Sequence, residues 1–373
     1  MEDLALARQT DPAKFSQGLL IEAFSVTPIT EDIITLAASA ADQILTDEDK
    51  ANIDMVILAT ETSVDQSKAA AIYVHHLMGI QPFARSFEVK EACYSATAAL
   101  DYAKLHVAAK PESRVLIIAS DIAKYGIDSA GEATQGAGSI ALLVTANPRI
   151  LKLNNDNMAQ TRDIMDFWRP NYSSTPFVNG IYSTKQYLDS LKTTWQAYQE
   201  KEAAQLTDFA AFCFHLPFPK LALKGLNKMI DDSLPVDHRE RLLEAFQASI
   251  VYSKQIGNIY TGSLYLGLLS LLENSNALQA GDKIGLFSYG SGAVSEIFSG
   301  QLVAGYDKML MTNRQAILDQ RQRISVAKYE ELFYEEPQLD KDGNTHFKTY
   351  LTGKFALTEI KDNQRLYQIN DKN

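Results

Sequence analysis

The sequence predicts an α/β protein of layered sheets and helices in which one pattern is laid down twice. Three observations carry that expectation. Short continuous runs of β-branched and aliphatic residues, "DMVILAT" (54–60), "SRVLIIAS" (113–120) and "SIALLVTA" (139–146), have the length and composition of strands buried on both faces. Helical patterns fill the gaps between strands, and such alternation is the mark of α/β layering. The second half then repeats the order of the first element by element, although no short-period repeat is present.

In chain order, "TPITEDIITLAASAADQIL" sets apolar residues at helical spacing behind Thr30, a candidate N-cap, with acids in the first turn. After the first strand, "SKAAAIYVHHLMG" reads as a helix closed by Gly79. "KEACYSATAALDYA" (90–103) is a small-residue helix with Cys93 at its entrance. The region 151–205 carries "DIMDFWRP" and a helix "STKQYLDSLKTTWQAYQ", whose Ser183 and Gln186 have capping-box spacing. Its polar loops "NNDN" and "NYSST" predict an insertion over a site. The second half supplies a strand, "FAAFCFH" (209–215), a helix through "LALKGLNKMI", a helix "GSLYLGLLSLLENS" apolar nearly all round, and two strands over "DKIGLFSYGSGAVSEIFSG". "HFKTYLTGKFALTEIKDNQRLYQI" predicts terminal strands with a turn at "TGK" or "KDN". The expected halves are 1–150 and 151–373.

A chain of 373 residues that is 46% hydrophobic and 22% charged can bury a sizeable core. Thirty-five basic against 46 acidic residues give a net charge of -11, so the average surface repels nucleic acid and anionic membranes. An anionic ligand therefore requires a local basic pocket. With only Cys93 and Cys213, a disulfide framework is ruled out and a reducing, cytoplasmic compartment is expected. The opening "MEDLALARQTDPAKF" lacks the pattern of a signal peptide, and no apolar run approaches the length of a membrane span.

Cys93 admits two readings, packing or nucleophile, since a free cysteine is among the most buried residue types. A helix N-terminus offers unpaired N–H groups and a partial positive charge, which would lower a thiol's pKa. The duplication favours the nucleophile. In each half a strand ends, a helix follows, and a buried helix precedes the next strand. Matched ends of such elements converge on one crevice if the halves are related by a pseudo-twofold axis. Glu61, Cys93, His215 and Asn258 occupy those ends: a carboxylate, a nucleophile, an imidazole and an amide. Cys213, inside "AAFCFH", reads as strand core. "SYGSGAVSE" (288–296) could bring backbone N–H groups to a developing oxyanion, though it lacks the form of a hydrolase elbow. The remaining histidines, 75, 76, 106, 238 and 346, have no metal-ligand spacing, and neither a metal nor a redox cofactor is expected.

The stretches "ILATETSVDQSKAAA", "QPFARSFEVKEACYSATAAL", "ASDIAKYG", "TQGAGS", "DFWRP", "FHLPFPK", "GNIYTGSLYLGLLSLLE" and "GLFSYGSGAV" resemble, in order and over most of the chain, the bacterial 3-hydroxy-3-methylglutaryl-CoA synthase family of the mevalonate pathway. The resemblance implies a thiolase-like fold, a duplicated five-layer α/β/α/β/α arrangement with mixed sheets, and a homodimer. It implies that Cys93 takes the acetyl group of acetyl-CoA as a thioester. Glu61 would remove a methyl proton from that group, and His215 would bind the acetoacetyl-CoA acceptor. Asn258 and Ser291 match polar residues around the acetoacetyl moiety. Asp121, Tyr125, Thr134, Asp166 and Phe167 match residues that line or support the pocket. Lys220 matches the position of a family lysine for the acyl-CoA, and Lys224 lies one turn later, where it would add local positive charge for the CoA phosphates.

Two departures from the family pattern stand out. Ser95 and Ala99 stand where family members usually carry glycine, so a bulkier helix near the acyl pocket is expected to slow turnover or reshape the cavity. Family chains also begin with a β-strand ahead of "MEDLALARQ", which implies that this chain, as given, starts late. Two further readings follow: another thiolase-fold condensing enzyme of ketoacyl-synthase type, which would not need the base at Glu61, and a catalytically impaired dimer.

Overall fold

The computed structural model describes residues 1–348, 350 and 352–370. Helices α1 (Glu2–Ala7), α2 (Ala13–Ser16), α3 (Ile33–Asp42) and α4 (Asp47–Asn52) precede β1 (Ile53–Ala59). There follow α5 (Ala70–Leu77), β2 (Arg85–Val89), α6 (Ser95–Ala109), β3 (Arg114–Ala123) and β4 (Gly136–Val144). These strands form a sheet in the order β2-β1-β3-β4, in which β1 runs parallel to β2 and β3, and β4 runs antiparallel.

The second sheet repeats this plan. The chain continues through β5 (Leu151–Leu153), β6 (Met158–Thr161), a small hairpin of β7 (Phe167–Trp168) and β8 (Phe177–Val178), and the long α7 (Gly180–Glu202). Next come β9 (Ala211–Phe214), α8 (Pro219–Met229), α9 (Val236–Ser249), α10 (Ser253–Ile256), α11 (Ser263–Asn274), β10 (Lys283–Gly290) and β11 (Val294–Leu302). β10 is parallel to β9 and antiparallel to β11, so β9, β10 and β11 stand to one another as β1, β3 and β4 do. The sheets differ at their margins. β5 and β6 pair with the outer edge of β11, and among the described residues no strand lies beyond β9 as β2 lies beyond β1. Helices α12 (Arg314–Asp319) and α13 (Val326–Phe333) and a sheet of β12 (Thr345–His346), β13 (Phe355–Lys361) and β14 (Gln364–Ile369) complete the described chain.

The strand period of two sorts side chains into layers. From β1 and β3, Met55, Ile57, Val115 and Ile117 face a central cluster, while Val56, Leu58, Leu116 and Ile118 face α3 and α5. From β9 and β10, Ala211, Cys213, Ile284 and Leu286 face that central cluster, while Phe212, Phe214, Phe287 and Tyr289 face α7 and α8. The central layer is built from α6 and α11, so five layers result. α6 fits between two sheets because Ala96, Ala99 and Ala103 are small where it is buried, with Leu100 and Val107 continuing the stripe. Each such large side chain contributes about 1.5–3 kcal/mol on burial. α11 buries residues on nearly every side, as its composition predicts, and Cys213 is fully buried strand core.

Several local expectations are corrected. Asp32, not Thr30, caps α3: its carboxylate accepts from Ile34 N and Thr35 N, and Thr35 returns the bond, because two charge-assisted bonds outcompete one hydroxyl. The long helix starts at Asn179, whose side chain accepts from Tyr182 N, so Ser183 and Gln186 lie inside it. "NNDN" is not a loop over a site. Asp156 within it is buried and accepts from Ser299 Oγ (2.5 Å) and Tyr198 Oη (2.6 Å), joining the segment to the second sheet. The terminal turn falls at "KDN", where Asp362 and Asn363 both have positive φ, as a tight two-residue hairpin turn requires.

Candidate active site

The loop after β1 meets the turn that opens α6, and Asn258, ahead of α11, joins them through Tyr125. Cys93 lies two residues before α6, following Ala92, which is held at φ +41°. Glu61 lies two residues past the end of β1. The Cys93 thiol donates to Glu61 Oε1 at 3.0 Å, so two residues far apart in sequence form a direct proton-sharing pair. Both keep some exposed surface while the thiol and carboxylate are surrounded by protein.

Asp121, fully buried on β3, organises the base. Its Oδ1 accepts from Thr60 Oγ1 (2.7 Å), Glu61 N (2.9 Å), Thr62 N (3.1 Å) and Thr62 Oγ1 (2.7 Å), and its Oδ2 accepts from Thr261 N (3.2 Å) at the start of α11. One carboxylate thus fastens the loop after β1 to the second half of the chain. Burial raises the Asp121 pKa to about 6 against the pull of those hydrogen bonds. Burial, with the adjoining Asp121 charge, pushes Glu61 up to about 8, while the Cys93 hydrogen bond and the Arg169 charge pull it down. Cys93 itself is held well above the ordinary thiol range, first by burial and then by the Glu61 carboxylate. The expectation that the helix end lowers the thiol pKa is therefore corrected, because burial beside carboxylates outweighs the partial charge of the helix terminus.

His215 follows β9 at the position that Glu61 approaches after β1. It is 2% exposed, its Nδ1 has no hydrogen-bond partner among the described residues, and burial lowers its pKa to about 3, so the ring is neutral across the physiological range. Its backbone is fixed by His215 N donating to Phe287 O (2.7 Å) and Tyr187 Oη donating to His215 O (2.8 Å).

The other sequence-selected residues divide into two groups. Asn258, buried, accepts from Tyr260 N and Ser263 Oγ through Oδ1 and donates through Nδ2 to Tyr125 Oη at 3.1 Å; its backbone N–H donates to Thr134 O. Tyr125, Phe167 and Tyr260 pack as an aromatic trio with centroids 5.8–6.0 Å apart. Asp166, fully buried, accepts from Tyr289 Oη (2.6 Å) and Gly292 N (2.9 Å), which anchors the "SYGSG" turn and occupies one amide of the supposed oxyanion donors. Gly290 lets that turn press on the cysteine loop, since a Cβ there would lie 2.6–2.7 Å from Tyr94 Cβ, Tyr94 N and Glu91 O. In the second group, Ser291, Lys220 and Lys224 make no side-chain hydrogen bond or ion pair among the described residues. The lysines sit on the first turns of α8, just after His215, with Lys224 exposed.

Sequence reasoning missed Tyr260, held at φ +44° inside the trio, and Arg169, whose guanidinium donates to Glu61 O at 2.6 Å. It also missed Thr261, whose Oγ1 accepts from Ala96 N at 2.7 Å, and Glu296, which accepts from Tyr94 Oη at 2.5 Å. Their places in "DFWRP", "GNIYTGS" and, for Glu296, "SYGSGAVSE" were the available signal. Among the described residues no cluster of three His, Cys, Asp or Glu could hold a metal ion, and no helix is long and apolar enough to cross a membrane.

A family model described as hydroxymethylglutaryl-coenzyme A synthase C terminal matches residues 154–245 and 238–368. The chain is 50% identical over 369 residues to a hydroxymethylglutaryl-CoA synthase of Enterococcus faecalis, covering 99% of this chain and 95% of that one. It is 30% identical to a polyketide biosynthesis 3-hydroxy-3-methylglutaryl-ACP synthase of Bacillus subtilis, over 89% of this chain and 83% of that one. Among solved structures, an HMG-CoA synthase complexed with CoA superposes with a TM-score of 0.98 at 67% identity, and a protein in complex with 3-hydroxy-3-methylglutaryl coenzyme A with 0.86 at 32%. Each of these superpositions covers 99% of this chain and 95% of the other.

Proposed function

The chain belongs to the hydroxymethylglutaryl-CoA synthase family, and we propose how its own residues carry that reaction. The activity is the condensation of acetyl-CoA with acetoacetyl-CoA and water to 3-hydroxy-3-methylglutaryl-CoA and CoA, an acyl transfer of the mevalonate pathway on a thiolase-like fold. The observation that carries the assignment of roles is the 3.0 Å contact from Cys93 Sγ to Glu61 Oε1.

In the first step Glu61 accepts the thiol proton as the sulfur attacks the acetyl carbonyl; the C–S bond to CoA breaks and the proton leaves with CoA. A carboxylate with a pKa of about 8 is a competent base near neutrality and returns the proton readily. Glu61 then takes a proton from the methyl group of acetyl-S-Cys93. The resulting carbanion equivalent attacks the ketone of acetoacetyl-CoA, a C–C bond forms as the C=O π bond opens, and the new alkoxide takes up the proton that Glu61 removed from the methyl group. Its negative charge, and that of the preceding enolate, calls for preorganised donors. Candidates are the Cys93 N–H and the amides of the "SYGSG" turn other than Gly292 N, which Asp166 holds. His215, neutral and with an unpaired ring nitrogen, is the group for the acceptor's oxygen. Hydrolysis of the enzyme thioester releases the product and restores the thiol. A base at Glu61 is what separates this chemistry from decarboxylative condensation, which requires none.

Tyr125, Phe167 and Thr134 would wall the acetoacetyl pocket, with Asn258, Asp121 and Asp166 holding it in shape. Ser291 supplies an unengaged hydroxyl. Lys220 and Lys224 give an acidic protein the local positive charge that CoA phosphates need. The halves would divide near residue 150. CoA thioesters act as substrates, and no further cofactor is assigned. A cytoplasmic location is supported by two free cysteines. A homodimer is supported by the outer edge of β2, which pairs with no other strand among the described residues. Beside it stand Phe83, Leu105 and Tyr102, respectively 91%, 60% and 49% exposed.

The test is incubation of the purified protein with acetyl-CoA alone, followed by intact mass and peptide mapping. One acetyl group on Cys93, absent in Cys93→Ala, is expected. No adduct on a folded protein would overturn the assignment.

A further inference from the structure

We propose that Ser95 is a positioning residue for Cys93, its hydroxyl locking the turn that holds the thiol against Glu61. The inference rests on the reading of Cys93 as nucleophile.

The turn from Glu91 to Ser95 is unusual in its geometry. Ala92 occupies the left-handed region at φ +41°, where an L-residue with a Cβ is disfavoured and persists only if the surroundings over-determine it. Two backbone bonds close the turn, Tyr94 N to Glu91 O at 3.0 Å and Ser95 N to Ala92 O at 3.4 Å, the second long. The Ser95 hydroxyl does better than either. Its Oγ accepts from Glu91 N at 2.7 Å and donates to Ala92 O at 2.7 Å, so it holds both peptide groups around the strained residue. Ser95 is fully buried, and its hydroxyl donates its one proton within the turn.

The residues beside Ser95 are tied to the opposite half of the chain. Ala96 N donates to Thr261 Oγ1 and Tyr94 Oη donates to Glu296. Thr261 N in turn donates to Asp121, the carboxylate that organises Glu61. The helix start and the base therefore share one frame, while Ala92 and Cys93 are coupled to it through Ser95. Without the hydroxyl, Glu91 N would lose its acceptor and Ala92 O would keep only the long bond from Ser95 N. The expectation that a side chain at 95 crowds the acyl cavity is thereby revised, since the hydroxyl turns back onto the loop.

The experiment compares Ser95→Ala, Ser95→Gly and Ser95→Thr with the parent protein in two assays: single-turnover acetylation of Cys93 across acetyl-CoA concentrations, and the pH profile of Cys93 alkylation by iodoacetamide. Loss of two short hydrogen bonds at a positioned nucleophile is expected to lower the maximal acetylation rate of the Ala and Gly variants about tenfold. The half-saturating acetyl-CoA should stay within about twofold. The alkylation midpoint should fall towards that of an ordinary thiol as Cys93 leaves Glu61, and Thr, which keeps the hydroxyl, should recover the parent profile. Acetylation at the parent rate in both Ala and Gly variants, or a rate loss with an unmoved alkylation midpoint, overturns the role of Ser95. An unacetylated parent protein overturns the reading of Cys93 instead. If Ser95→Thr does not fold, the Ala and Gly variants decide alone.

Discussion

Replacing Glu61 by Gln should abolish condensation and at the same time stabilise the protein, but only above the pH at which an unfolded glutamate ionises. The folded carboxylate has its pKa raised from 4.5 to about 8 by burial and by Asp121. Between those values the folded state holds a proton that the unfolded chain has released, so stability falls as pH rises from about 4.5 through about 8, in the direction linkage requires. The gap between 4.5 and about 8, at about 1.4 kcal/mol per pH unit, sets an upper bound of roughly 5 kcal/mol on the cost. Partial solvent access and shared titration with Asp121 reduce it to roughly 2–3 kcal/mol. With an unfolding entropy of about 2.1 cal/mol/K per residue, that corresponds to roughly 3 °C in Tm for a chain of this length. Scanning calorimetry of the parent and Glu61→Gln proteins at pH 5 and pH 8.5 reads it directly: a difference of about 3 °C at the higher pH that shrinks towards zero at the lower. A Gln variant no more stable than the parent at pH 8.5 would refute the enclosure of this carboxylate.

Acetylation of Cys93 should itself rise with pH through the region near 8 in which the Glu61 carboxyl, coupled to Asp121, loses its proton; stopped acetylation reactions followed by mass spectrometry between pH 6 and 9 test this. His215→Asn should leave acetylation within about threefold of the parent yet cut condensation by at least about a hundredfold, as expected for loss of a group that meets only the acceptor. Its neutral ring also predicts no imidazole titration between pH 5 and 8, which the His215 side-chain NMR signals will show. Gly290→Ala should cost about 1–3 kcal/mol and displace Cys93, because the new Cβ meets backbone atoms of Tyr94 and Glu91 that cannot rotate away; denaturant unfolding and acetylation rate measure the two effects. If the proposed dimer forms through the β2 face, light scattering should find the parent at twice the monomer mass and Leu105→Glu at the monomer mass; a parent of monomer mass, or a variant of unchanged dimer mass, would argue against that interface.

The legibility of this chain followed the range of the interactions involved. Strands such as Ile53–Ala59 and Lys283–Gly290 were readable because both of their faces are buried, which leaves a continuous apolar run. β2 and β6, "RSFEV" and "MAQT", were not, since each is short and mixed and owes its state to the partner strand beside it. Cys93, Glu61, His215 and Asn258 could be inferred as candidates from their matched places in the two halves. Their ionisation could not: a helix end promised a lowered thiol pKa, and the carboxylate that reverses it arrives from 32 residues away. The same holds for Ser95, whose hydroxyl reads from sequence as an obstruction and in space as a fastening.

That reversal bears on how the nucleophile is activated. A thiolate stabilised in advance by a helix terminus would react without a base but would leave Glu61 facing a negative charge, pushed still further from ionisation. Here the proton is shared between a thiol held neutral and a carboxylate held near pH 8, so attack and deprotonation can be concerted. The same carboxylate, once the thiol has become a thioester, is left unpaired beside the acetyl group at a pKa suited to removing a carbon-bound proton. In the proposed mechanism one enclosed pair thus serves both half-reactions, and the enclosure that tunes it is the source of the stability cost expected of Glu61.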